Sequence, residues 1–150
     1  MPRIRIILGS KSDQEKGDRI REMLDKLGID YDFFISSAHR NPERTANLAK
    51  YADKDGVKII IAAAGMAAHL PGVIAAQTIL PVIGVPLSGS PLQGVDALYS
   101  VAQMPSGIPV ATVAIDGGRN AAILAAEILA LSDESIRQRL EQFREEIALQ

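Results

Sequence analysis

The chain has 150 residues, 47% hydrophobic and 23% charged, enough for a substantial core and an ordinary balance for a globular fold. A formal net charge of −2 provides no basic stripe for a nucleic-acid backbone, although a few local groups could still hold one phosphorylated metabolite. The absence of cysteine excludes disulfides, a thiol nucleophile and a thiolate metal site, and three Phe, three Tyr and no Trp leave little material for nucleobase stacking.

Residues 4–8 form a short isoleucine-rich run that reads as a strand and ends in Gly9-Ser10-Lys11-Ser12-Asp13. Met1-Pro2-Arg3 enters that strand without a secretory h-region, and no apolar stretch approaches the ~20 residues of a membrane span, so the cytoplasm is the expected location. Helical periodicity follows to about Leu27, with Ile20, Met23, Leu24 and Leu27 on one face and Gly28 as the residue that closes the helix. Residues 31–35 read as a second strand. Asn41-Pro42-Glu43 opens a helix to about Lys54, with Asn41 as N-cap, and Asp55-Gly56 ends it.

Residues 57–63 are a third strand, apolar throughout and therefore expected to be buried on both faces. A short helix is expected over 69–78, a fourth strand over 82–85, a helix over 92–103 and a fifth strand over 110–115. Gly117-Gly118 leads into an Ala- and Leu-rich helix to about Leu131. Ser132-Asp133-Glu134 caps a last, charged helix over about 132–148. Strands alternating with helices imply an α/β fold with a parallel sheet covered on both faces. The expected topology is one flavodoxin-like domain over 1–150, with strand order 2-1-3-4-5. The helix over 120–131 has almost no polar face, which points to burial against another subunit, or else to ordinary packing within the chain with the last helix over it.

Four loops leave the C-terminal ends of the first four strands, at residues 9–13, 36–42, 64–72 and 86–91, and a parallel sheet brings them to one edge. Their small residues let backbone N–H groups approach a ligand. Gly9-Ser10-Lys11-Ser12-Asp13 suits an anion at a helix start, or is simply a turn capped by Ser12 or Asp13. Its spacing matches neither a P-loop nor a dinucleotide turn.

The only two histidines fall in the next two loops. Ser37-Ala38-His39-Arg40 pairs a group suited to proton transfer with a fixed cation suited to phosphate or carboxylate. Gly65-Met66-Ala67-Ala68-His69-Leu70-Pro71-Gly72 offers backbone donors that could hold a carboxylate or CO₂-like group. His69 itself reads either as a structural hydrogen bonder or as a second proton carrier. No carboxylate cluster accompanies the histidines, so no metal site is expected. No Gly-x-Ser-x-Gly elbow supports a serine hydrolase.

Taken in order, Gly9-Ser10-Lys11-Ser12-Asp13, Ser37-Ala38-His39-Arg40, Ala67-Ala68-His69-Leu70-Pro71-Gly72 and Gln103-Met104-Pro105-Ser106-Gly107-Ile108-Pro109-Val110 carry a resemblance. The chain closely resembles the class I N5-carboxyaminoimidazole ribonucleotide mutases, the catalytic subunit of phosphoribosylaminoimidazole carboxylase, from Ile4 to about Leu131. The resemblance implies a three-layer α/β/α sandwich, a homo-octamer, a role in de novo purine biosynthesis, and no metal, ATP or organic cofactor. It implies transfer of a carboxylate from the exocyclic N5 nitrogen of a phosphoribosyl aminoimidazole substrate to ring carbon C4. By position, His39 matches the catalytic proton carrier. Ser10 and Arg40 match groups at the 5′-phosphate end, and Asp13 an acceptor for ribose hydroxyls. Ser12, Ser37, Ala38, Gly65, His69 and Leu70 complete the expected substrate-binding set.

Class II members take aminoimidazole ribonucleotide and CO₂ directly and carry a Ser-Asn type signature in the third loop; Ala-His-Leu-Pro-Gly here favours class I. Direct carboxylation remains the rival reading within enzymes. A non-catalytic flavodoxin-like nucleotide-binding module is the rival outside them. Two departures stand out: Met66 where a second glycine is expected after Gly65, and the loop Ser88-Gly89-Ser90-Pro91. A side chain at position 66 is expected to narrow the CO₂ pocket or to demand an altered φ.

Overall fold

In the computed structural model, which describes residues 1–150, strands and helices alternate as the periodicity predicts. The strands are β1 (Ile4–Leu8), β2 (Tyr31–Ile35), β3 (Ile59–Gly65), β4 (Val82–Leu87) and β5 (Ala111–Thr112). The helices are α1 (Gln14–Lys26), α2 (Pro42–Lys50), α3 (Leu70–Ala75), α4 (Val95–Ala102), α5 (Gly118–Ala130) and α6 (Glu134–Ala148). All strand pairs are parallel and the order is β2-β1-β3-β4-β5, the flavodoxin-like order.

Side-chain alternation distributes the core between two layers of helices. Ile4, Ile6 and Leu8 of β1 and Ile59, Ile61 and Ala63 of β3 join residues of α1, α5 and α6. Ile7, Ile60, Ala62 and Ala64 join residues of α2, α3 and α4 on the opposite face. The central strands β1 and β3 are therefore buried on both sides, which is why they read as continuous apolar runs. Gly17 brings α1 close to the end of β1: a Cβ there would stand 2.5 Å from Leu8 Cδ1. That contact sets the first turn of α1 over the C-terminal edge of the sheet.

Local signals account for several helix ends. Asn41 Oδ1 accepts the Arg44 N–H at 3.2 Å and caps α2, with Pro42 at its first position. Gly28, at φ +64°, follows α1, and its N–H and that of Ile29 return to Asp25 and Leu24 in a Schellman arrangement.

Three expectations need correction. The helix expected from residue 92 begins at Val95, because Gln93 and Gly94 both take positive φ and cannot continue a right-handed helix. The fifth strand, expected over 110–115, pairs only through Ala111 and Thr112 at the sheet edge, where one neighbour alone is available. The Ala-rich helix α5 does not depend on another subunit for burial. Ala121, Ala122, Ala125 and Ala126 are wholly buried within this chain, in the cluster that also holds Ile20 and Leu24 of α1 and Ile136, Leu140 and Phe143 of α6. Packing within the chain, with α6 laid over α5, is what covers these alanines, while Ile123, Leu124 and Ile128 stay partly buried.

Candidate active site

The loops after β1, β2, β3 and β4 surround a cavity of about 530 Å³ at the C-terminal edge of the sheet. Ser10, Ser12, Asp13, Ser37, Ala38, His39, Arg40, Gly65, His69 and Leu70 all line it. A second, more open hollow of about 470 Å³ lies beside Arg5 and Tyr51, but Arg5 is already paired there with Asp32 and Asp55.

The first loop divides its roles. Ser10 Oγ accepts the Ser12 N–H at 3.3 Å and lies 3.0 Å from Ser12 Oγ, so the serines order the turn themselves. Asp13 stands at the N-cap position of α1 but makes no capping hydrogen bond. Its carboxylate faces the cavity rather than serving the helix. Burial pushes the Asp13 carboxyl up from the ordinary carboxylate value, and the positive charge of Lys16, one turn on, opposes that rise.

The second loop is held from below. Thr45 Oγ1 donates to the Asn41 carbonyl at 2.9 Å, which leaves buried Ser36 as the donor in their 2.7 Å contact. Ser37 Oγ accepts the Arg40 N–H at 3.1 Å. Arg44 donates to the Ile35 carbonyl, whereas the exposed Arg40 enters none of the salt bridges of the chain. Of the two arginines, Arg40 is thus the one free to meet an anion.

The third loop carries the other histidine. His69 Nδ1 lies 2.7 Å from His39 Nε2, with the rings edge-on at 82°. One of these nitrogens donates and the other accepts, so the tautomer of one ring dictates that of the other. His69 is therefore part of the cavity surface and the direct hydrogen-bond partner of His39. Met66 and Ala68 take φ +53° and +37°, the left-handed region that glycine occupies without cost. Met66 is 60% exposed at the cavity rim. Its backbone thus lies in a region that favours glycine.

Sequence reasoning did not find Lys16, although it lies three residues after Asp13 and hence on the same face of α1. Asp116 was missed for a different reason. It is a loop residue after β5 whose bonds to Ser88 and Lys16 join segments far apart in sequence. Burial pushes its carboxyl up, but donation from Ser88 and Lys16 outweighs this and holds it below the ordinary value. No group of three or more His, Asp or Glu side chains is arranged to hold a metal ion, and no helix is long and apolar enough to cross a membrane.

Fold and cavity define the class: a flavodoxin-like α/β protein with a small-molecule site at the strand ends, furnished for anion binding and proton transfer. The family model described as AIR carboxylase matches residues 3–150, and the chain belongs to that family. It is 49% identical over 147 residues to the N5-carboxyaminoimidazole ribonucleotide mutase of Pyrococcus abyssi, covering 98% of this chain and 84% of the relative. It is 48% identical over 144 residues to the protein of that name from Escherichia coli, covering 95% and 85%. It is 51% identical to the phosphoribosylaminoimidazole carboxylase of Schizosaccharomyces pombe, covering 95% of this chain and 26% of that longer protein. Among solved structures, Treponema denticola PurE superposes with a TM-score of 0.90 at 33% identity, covering 99% and 93% of the two chains.

Proposed function

We propose that this protein is an N5-carboxyaminoimidazole ribonucleotide mutase of purine biosynthesis. The observation that carries this reading is the convergence of His39, Arg40, Ser10 and Asp13 on one cavity, in a chain about half identical to relatives bearing that name. Arg40 and the Ser10 hydroxyl hold the 5′-phosphate, and the Asp13 carboxylate accepts from the ribose hydroxyls. The Gly65 loop, with Ala38 and Leu70, walls the end that receives the carboxylate.

The reaction is an isomerisation, so one proton is supplied and one recovered. The carbamate C–N bond breaks as N5 takes a proton from His39, releasing CO₂ inside the cavity. The resulting aminoimidazole is an enamine, and C4 attacks the captive CO₂ to form the new C–C bond. His39 then removes the C4 proton and aromaticity returns. Confinement is what makes recapture faster than escape. His69 orients the His39 ring through their hydrogen bond.

Direct carboxylation of aminoimidazole ribonucleotide is the alternative, and the assay separates the two. Formation of the C4-carboxylated nucleotide is followed from the N5-carboxylated substrate, and from aminoimidazole ribonucleotide with and without bicarbonate. The mutase reading expects turnover of the first without added bicarbonate; product from neither substrate overturns both readings. His39→Asn is expected to keep nucleotide affinity and lose about 10²-fold or more in turnover, the scale of a lost general acid or base. Near-normal turnover removes His39 from the mechanism.

The same reading includes a cytoplasmic homo-octamer without nucleic-acid partners. Its support is the net charge of −2 and the large apolar side chains that the chain leaves uncovered, among them Ile79, Leu92, Tyr99 and Leu131. Light scattering coupled to size-exclusion chromatography should give eight times the 16.0 kDa chain mass, and a monomer would remove this part of the proposal.

A further inference from the structure

The segment Ser88-Gly89-Ser90 after β4 forms part of the cavity wall beside the Gly65 loop, and a cluster not used in the mechanism holds it. Lys16 Nζ donates to the Ser88 carbonyl at 2.8 Å and to Ser88 Oγ at 2.7 Å, and lies 3.3 Å from Asp116 Oδ1. Asp116 Oδ1 accepts the Ser88 N–H at 2.9 Å, and Asp116 also accepts from the Ser88 hydroxyl. Every polar group of Ser88 is thereby committed. Asp116 is itself placed by a left-handed backbone, φ +58°, with its N–H on the Pro86 carbonyl at 2.8 Å. Two residues on, Ser90 Oγ donates to Asp96 at 2.8 Å.

Between these anchors, the N–H groups of Gly89 and Ser90 have no acceptor within the chain, and both residues border the cavity. Gly89 sits at φ +111°. A loop of this composition would ordinarily be among the mobile parts of the fold, and ordering it would cost binding free energy. Here the cross-link joins α1, the β4–α4 loop and the β5–α5 loop before any ligand arrives.

We propose that Lys16 and Asp116 are positioning residues: acting through Ser88, they pre-form the Gly89–Ser90 wall, so that the nucleotide meets fixed backbone donors instead of ordering a loop. The proposal rests on the reading of this cavity as the nucleotide site. The pair acts on binding, whereas the proton transfers remain with His39. Lys16 and Asp116 are paired with each other at this wall.

The test uses the full chain and the nucleotide that does not react alone, aminoimidazole ribonucleotide. Its affinity is measured by calorimetry for the wild type, Lys16→Met, Lys16→Arg, Asp116→Asn and the double variant Lys16→Met/Asp116→Asn. Amide exchange over residues 86–94 and kcat with the N5-carboxylated substrate are measured beside it. Lys16→Met is expected to weaken binding roughly tenfold, the scale of re-ordering about one residue of backbone. It should also speed exchange at 88–90 and leave kcat within about twofold, because the proton chemistry is untouched. Lys16→Arg should restore most of the affinity, and the double variant should bind no more weakly than the worse single, since both act through Ser88.

Unchanged affinity with faster exchange overturns the proposal, as do losses that multiply in the double variant, or a fall confined to kcat. If Lys16→Met does not fold, Asp116→Asn, which keeps a residue tolerant of left-handed backbone, carries the same comparison. Wild-type protein that binds the nucleotide without turning over the N5-carboxylated substrate defeats the mutase reading alone. Wild-type protein that binds no nucleotide defeats the reading of the cavity and this proposal together.

Discussion

Met66 occupies backbone that favours glycine while exposing 60% of its surface, so its side chain gains little burial to offset the strain. Replacing an ordinary residue by glycine usually costs about 0.5–1 kcal/mol through the unfolded chain. At position 66 relief of the left-handed strain opposes that cost, and Met66→Gly should leave stability within about 0.5 kcal/mol of the wild type or raise it. Met66→Val should lose about 1 kcal/mol or more, because a β-branched side chain is least tolerant of this φ. Urea denaturation of both variants checks the pair of outcomes; a clear loss for Gly together with a neutral Val would contradict the strain argument. The departure noticed in the sequence is therefore absorbed by the backbone. His39 and Arg40 were legible as candidates from residue type and place. That the two imidazoles touch was not legible, because 30 residues separate them in the chain and the contact depends on how two loops fold over one edge.

At the scale of elements, α6 closes the fold and its N-terminus is the most strongly perturbed acidic site. Asp133 accepts from the Ser135 hydroxyl, Arg3 and the Ile136 N–H, and these bonds pull its carboxyl from the ordinary 3.8 down to about 2. A carboxyl lowered in the folded state contributes stability that is present above the unfolded value and lost as pH falls through the folded one. Stability should accordingly fall between about pH 4 and pH 2, and Asp133→Ala should flatten that part of the profile. Denaturation midpoints taken across this window decide it, and an identical slope in the variant would count against Asp133. The cap was legible as Ser132-Asp133-Glu134, since capping is local chemistry. The true start of α4 was not. Leu92 fits helical periodicity, but Gln93 and Gly94 adopt positive φ in a turn shaped by the close approach of Gly94 to the Ser88 backbone.

Across the whole molecule, an ion network centred on buried Arg5 joins segments that the chain order keeps apart. The Arg5 guanidinium on β1 donates to Asp32 on β2 at 2.7 Å, to Asp55 ahead of β3 at 2.9 Å and to the Leu48 carbonyl of α2 at 2.8 Å. Its burial disfavours the charge, and the bonds to Asp32 and Asp55 more than restore it. Removing one partner leaves a charge short of ligands inside the fold, so Asp32→Ala should cost about 2–3 kcal/mol, below the range for a fully buried pair because Asp55 remains. Thermal or urea unfolding measures this; a loss under about 0.5 kcal/mol would show the network to be dispensable. The apolar surface of α5 teaches a related lesson. Alanines that looked like an intersubunit seam are buried by α1 and α6 of the same chain, and only the packing reveals which neighbour takes them.

The sequence by itself determined the order of strands and helices, the parallel sheet with β1 and β3 at its centre, and the four loops that carry the chemistry. Those properties follow from periodicity, caps and chain direction, which are local or nearly so. It also carried, in the residues of those loops, the family to which the chain belongs. Tertiary structure alone decided that His69 binds His39, that Asp13 leaves its helix uncapped to face the cavity, and that Lys16 and Asp116 meet across Ser88. Each is a contact between a side chain and a distant loop, and its geometry depends on the docking of whole elements, which no local pattern of residues encodes.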